Sequence, residues 1–327
     1  MIAQIYKNNN STSVKRANLP PSLDTLAQLP TKTKKGGLTT LQKRARSKWF
    51  TSKIVTPLIL HTQYIEKDEK FRKYFSSAFY CSHVLTQINK KVKTKYCNTR
   101  VCNQCNRIRT AKLINGYVSQ LSGKKLFFVT LTIPNVNKSN LKASISKMIK
   151  DCSNIIRVIR ERKKININGI RKIEVTYNKN TNEYHPHIHL LVDCCPELIV
   201  QEWLKRNKFS KPIAQDIREA NQNSLNELFK YTTKIAVTKN IKESNQIKLE
   251  VEALYNIVKA LDKKRAFQPF GNIKKVTEDI KKEELQGEEY KELPDYNFCE
   301  WIWIETDWIN NDGETLTNYK PPNIVFV

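Results

Sequence analysis

The sequence predicts an α+β protein: an antiparallel sheet with flanking helices, preceded by a small zinc-binding module. Three observations carry this. Runs of alternating apolar and polar residues are interleaved with segments of helical spacing. Residues 169–192, GIRKIEVTYNKNTNEYHPHIHLLV, read as a β-hairpin around the polar turn NKNTNE. Four cysteines, Cys81, Cys97, Cys102 and Cys105, lie upstream. The N-terminus lacks the apolar core of a secretory leader, so a cytoplasmic chain is expected, and clustered cysteines there suggest metal rather than disulfides.

Composition sets the outer bounds. At 327 residues and 39% hydrophobic, the chain can bury a core in one large or two small domains. No apolar run approaches the ~18–20 residues of a membrane span. There are 57 Lys and Arg against 31 Asp and Glu, a net charge of +26. Residues 277–327 hold 4 basic and 13 acidic side chains, −9, which leaves +35 on residues 1–276. Such a surplus favours a polyanionic partner, nucleic acid before anionic membrane.

The elements follow in order. Residues 1–46 (NNNSTSVKRANLPPS, TKTKKGG) are poor in large apolar groups and read as a flexible basic arm. Residues 47–122 read as a cysteine-rich metal-binding module closed by a helix from about Arg107 to Leu121. Residues 123–276 form the main domain. There Leu126–Ile133 is a central strand, ended by Pro134-Asn135, and residues 138–163 are a helix. After the hairpin, residues 197–208, 224–237 and 251–264 are helical. Residues 277–327 form an acidic extension with an aromatic strand, FCEWIWIETDW.

Three of the five histidines, His185, His187 and His189, alternate along one strand and so share a face. Imidazoles two residues apart on a rigid strand can grip one divalent ion. With carboxylate or water completing the shell, Mg²⁺, Mn²⁺ or Zn²⁺ fits. If Asn180-Thr181 is the centre of the turn, cross-strand partners sum to 361 and Glu174 faces His187. A one-residue slip removes it, so Glu174 is expected to be an ordinary strand carboxylate.

On the helix 224–237, Glu227, Tyr231 and Lys234 fall on the side opposite the apolar stripe. A phenol can attack a phosphodiester, a lysine can sit against the phosphate, and a carboxylate can serve as general base. The plainer alternative is that Ser224 and Glu227 form a capping box.

Among the cysteines, Cys97, Cys102 and Cys105 offer three thiolates to Zn²⁺, with Cys81 preferred to His83 as the fourth ligand. An iron–sulfur cluster is the rival, because C-x4-C-x2-C also suits one. Arg100, Arg107 and Arg109 around this knuckle are expected to face phosphates.

These motifs, FFVTLTIPN, EYHPHIHLLV and NELFKYTTK in that order, resemble plasmid rolling-circle replication initiators of the HUH endonuclease superfamily. Glu227, Lys230, Tyr231 and Lys234 match the single-tyrosine pattern E-x-x-K-Y-x-x-K. Cys97 to Arg109 resembles the same group's cysteine segment, with Asn103 where that group often has proline. The likeness runs from about residue 97 to 234.

The resemblance implies a bacterial, cytoplasmic, metal-dependent nicking and rejoining enzyme acting at a plasmid double-strand origin. Residues 123–276 would be the nicking domain. His187 and His189 would bind Mg²⁺ or Mn²⁺, with His185 beside them. Tyr231 would form a 5′-phosphotyrosine, and Glu227 would activate water at termination. Lys230 would belong to the DNA-binding set. A host helicase partner is implied, and a homodimer is left open. The rival readings are a single-tyrosine transposase, a non-enzymatic zinc-organised DNA-binding regulator and a zinc hydrolase of small molecules.

Overall fold

A computed structural model describes residues 38–121, 123–229, 237–239, 246–280 and 293–326. It begins with α1 (Thr40–Leu60), a π turn at His61–Ile65 and α2 (Glu69–Phe79). Helix α1 starts inside the segment expected to be a flexible arm. Thr39 and Gln42 close a capping box, each backbone N–H donating to the other's side chain at 3.2 Å. Leu41 and Ala45 are already buried.

The order then runs β1 (Val84–Ile88), β2 (Lys91–Thr94), α3 (Asn103–Leu121), β3 (Phe127–Thr132) and α4 (Lys138–Arg157). Next come β4 (Gly169–Asn178), β5 (Glu183–Val192), α5 (Pro196–Arg206), β6 (Asp216–Glu219), α6 (Gln222–Phe229), β7 (Val237–Lys239) and β8 (Gln246–Leu249). The remainder is α7 (Val251–Ala260), β9 (Phe267–Phe270), β10 (Phe298–Ile304), β11 (Asp307–Ile309) and β12 (Val325–Phe326). Helix α4 ends earlier than its spacing suggested, passing into a π turn at Val158–Arg162.

The central sheet has five strands in the order β6-β3-β5-β4-β9, every pair antiparallel. One face presents Val129, Leu131, Ile173, Val175, Ile188 and Leu190 to buried residues of α4, α5 and α7. The opposite face carries the histidines. Around its far end Phe128, Ile170 and Leu191 pack with Tyr117 of α3 and with Leu228 and Phe229 of α6.

A second sheet, β11-β10-β1-β2, joins residues 84–94 to residues 298–309. Leu85 pairs with Trp301, and the alternation of FCEWIWI buries Trp301 and Trp303 while Ile302 and Ile304 face out. The expected aromatic strand is therefore a hairpin that completes the sheet of the cysteine module. The buried Asp307 carboxylate fixes it by accepting from Thr317 Oγ1 at 2.9 Å and from the Tyr319 backbone N–H at 3.2 Å. Helix α7 lies between the two bodies. Leu254, Tyr255 and Val258 belong to the core of the cysteine module, and Ala253, Ile257 and Ala260 to that of the central sheet.

Candidate functional site

The hairpin has the register in which partners sum to 361, so Glu174 faces His187 and Lys172 faces His189. Strand β3 brings Thr130 opposite His189 and Thr132 opposite His187. Glu174, His187 and His189 are all buried, and one ligand atom from each lies within 4.8 Å of the others. Glu174 Oε2 is 3.4 Å from His189 Nε2 and 3.7 Å from His187 Nε2. Metal–ligand bonds of ~2.0–2.1 Å set neighbouring donors about 2.9 Å apart in an octahedron and about 3.4 Å apart in a tetrahedron, so a small inward shift brings these donors onto one divalent ion.

The outer contacts present the ligand nitrogens. His187 Nδ1 lies 3.2 Å from the carbonyl of His185, which only accepts. Nδ1 therefore donates to it, which turns Nε2 towards Glu174. His189 Nδ1 has the Thr130 hydroxyl at 3.1 Å, which holds the second ring in place. Burial pushes His189 down to about 4, against the pull of Glu174, so the ring is neutral at pH 7.

His185 stands outside this group of three, beside the pair rather than within it. It is half-buried, its Nδ1 is 3.0 Å from Asn135 Oδ1, and its ring stacks on His187. The third member of the group is Glu174, the carboxylate that the sequence alone left as ordinary.

Lys172 was missed altogether. Its Nζ is 3.2 Å from Glu174 Oε2, and both side chains are buried. The same ammonium donates to the backbone carbonyl of Glu227 at 3.1 Å, which ties α6 to the metal group. The available signal was its place two residues before Glu174 on a strand buried on both faces.

The cap of α6 is Asn221, whose side chain accepts the Ser224 N–H at 3.0 Å while Ser224 Oγ accepts the Asn221 N–H at 3.3 Å. That capping box replaces the one expected between Ser224 and Glu227. Glu227 is exposed and pairs with Arg218, whose guanidinium also sits over the Phe128 ring. Lys230, Tyr231 and Lys234 lie outside the described residues.

The four cysteines converge as a second group. Cys81 follows α2, Cys97 follows β2, and Cys102 and Cys105 sit at the start of α3. Cys105 Sγ is 3.6 Å from both Cys81 Sγ and Cys97 Sγ. A tetrahedral Zn²⁺ with bonds of about 2.3 Å has edges near 3.8 Å, so the set fits. Cys81, not His83, completes it. Hydrogen bonds from Cys102 and Cys105 hold the Cys81 thiol well below its usual range, while burial pushes Cys102 up. Buried Lys48 donates to the carbonyls of Phe79 and Cys81, bringing positive charge to the cluster. Burial lowers its ammonium to about 8, against the pull of the cysteines.

Two arginines expected at phosphates are spent on the fold. Arg109 is 3% exposed. Its guanidinium donates to the carbonyls of Asn98, Thr99 and Glu278 and to Asn106 Oδ1. Arg100 donates to the carbonyls of Leu261 and Lys264. Each braces the knuckle against a distant loop. Arg107 is exposed.

Residues 88–300 match the family model described as "Replication protein". The chain belongs to this family of replication proteins. The finding bears out the resemblance to plasmid replication initiators. Among curated relatives, "Protein rep" of Staphylococcus aureus is 31% identical over 169 residues, 44% of this chain and 72% of its own length. "Protein rep" of Streptococcus pneumoniae is 30% identical over 104 residues, 30% of this chain and 32% of its own. "Protein rep" of a Bacillus species is 26% identical over 151 residues, 43% of this chain and 49% of its own. The match thus spans most of the first relative and half or less of the other two. No solved structure matches this replication protein. Among the described residues no helix is long and apolar enough to cross a membrane.

Proposed function

We propose that this replication protein starts plasmid replication by nicking and rejoining one DNA strand at the origin. The observation that carries the reading is the buried Glu174–His187–His189 group, tied through Lys172 to the helix that leads towards Tyr231. In this reading the Tyr231 phenolate attacks a strand phosphorus. The phosphodiester bond breaks, a 5′-phosphotyrosine forms and a 3′-OH leaves. Lys234 lies against the phosphate charge. At termination the Glu227 carboxylate takes a proton from water, which hydrolyses a second bond. Arg218 holds that carboxylate in place meanwhile.

Glu174, His187 and His189 would hold Mg²⁺ or Mn²⁺, which when bound polarises a phosphoryl oxygen. Cys81, Cys97, Cys102 and Cys105 would hold a structural Zn²⁺. The family match favours replication over transposition.

The test is a denaturing gel of the protein with Mn²⁺ and a labelled single-stranded oligonucleotide carrying the origin nick site. A covalent protein–DNA band is expected from the wild type. It disappears in Tyr231→Phe and falls sharply in His187→Ala. DNA binding without any covalent band would overturn the enzyme and leave a zinc-organised DNA-binding regulator.

A further inference from the structure

We propose that the sheet face opposite the histidines carries a second anion site, which binds the phosphate of a nucleotide unit. The site is a cavity of about 430 Å³ between α4, β4, β9 and the α7–β9 connection. Four cations line it, Arg171, Lys263, Lys264 and Arg265, and no carboxylate does.

Arg171 supplies the independent sign of a ligand. The residue is 4% exposed, and among the described residues its Nη1 has no hydrogen-bond partner. Among the described residues its Nη2 reaches only the carbonyl of Arg265, at 3.4 Å. A buried guanidinium with an unmade hydrogen bond is costly, and a phosphate oxygen satisfies both the charge and the donor. Lys264 is held by Ser146 and Arg265 by Gln268, so two of the cations are fixed at the cavity. Lys263 is exposed at its mouth.

The remaining wall is apolar and suits a base or sugar. Ile149, Ile156 and Phe270 line it. Phe270 can lie against β4 because Gly169 is opposite: a Cβ there would come within 2.6 Å of the Phe270 ring. Base–aromatic contact is tolerant of sequence, as a strand-holding site requires.

Arg171 alternates with Lys172 and Glu174, so the cavity is on the other side of the sheet from the metal group. The proposal does not rest on Tyr231 or on any metal. The ligand chemistry is a nucleotide phosphate, supplied either by a second stretch of DNA strand or by a free nucleotide.

The experiment uses the full chain without added Mg²⁺ or Mn²⁺, so that no strand is cut. Thymidine 5′-monophosphate is titrated calorimetrically, and a labelled oligo(dT) is followed by fluorescence anisotropy. The variants are Arg171→Gln and the surface pair Lys263→Ala/Arg265→Ala. The pair Lys93→Ala/Lys124→Ala, exposed elsewhere, controls for lost charge.

At least a tenfold loss of affinity for one probe or both is expected in the site variants, beyond that of the control pair. The surface pair decides the matter if Arg171→Gln does not fold. Loss confined to the oligonucleotide, or displacement of the mononucleotide by it, identifies a strand. Loss confined to the mononucleotide, with no displacement, identifies a free nucleotide. Equal losses in the site and control pairs, or no binding of either probe, overturn the proposal.

Discussion

Replacing His189 with glutamine tests whether a neutral imidazole is buried in the metal group. In the folded chain the ring titrates near 4, against 6.5 for a free histidine. Well above pH 6.5 neither state holds the proton, and the site contributes no pH dependence. As pH falls below 6.5 the unfolded chain takes up the proton and the folded chain does not, so stability is lost until the folded value is reached. A shift of this size corresponds to about 2 kcal/mol lost at pH 5 and about 3 kcal/mol at pH 4.

Glutamine keeps a polar end at the position of Nε2 but does not titrate. The assay is urea unfolding of both proteins without added Mg²⁺ or Mn²⁺, followed by tryptophan fluorescence between pH 7.5 and 5. Whatever fixed penalty the substitution carries, the wild type should lose about 2 kcal/mol more than His189→Gln over that range. Parallel curves would refute the buried neutral ring and with it the ready-made ligand.

Glu174→Gln should lower Mn²⁺ affinity by more than about 10-fold in calorimetry, since even the outer partners of ligands are worth that much. Cys105→Ser should abolish the zinc content found by atomic absorption, because the remaining thiols no longer close a tetrahedron. Arg109→Ala should lower stability by about 3 kcal/mol through its orphaned carbonyls. The salt slope of its DNA binding should not change; a slope shallower by one ion would return Arg109 to the phosphates. Gly169→Ala would set a Cβ 2.4 Å from the Leu191 carbonyl oxygen, and a loss of at least about 1–3 kcal/mol should appear as a lower Tm.

The hairpin, its register and the faces of its side chains were legible because alternation and a polar turn are local signals. Glu174 was located by the same arithmetic but discounted, since one strand cannot report how deeply its neighbours bury it. The 2% exposure of that carboxylate is a property of the whole sheet. Arg109 was misread for a related reason. Arginines usually face solvent, and here the carbonyl of Glu278, far along the chain, helps enclose one. The start of α1 was available in Thr39-x-x-Gln42 but hidden by polar surroundings. The pairing of β1 with β10 left no local trace, because each strand supplies only half of that ladder.

The junction of Leu85 with Trp301 sets a timetable for synthesis. At about 5–20 residues per second, a ribosome needs roughly 10–40 s to travel from β1 to β10. Throughout that interval β1 lacks its central neighbour and presents an open edge to other nascent chains. Cys81 has left the ribosome by then, its thiol uncovered by the hairpin that later packs beside it. Only when the β10–β11 hairpin docks is that edge closed.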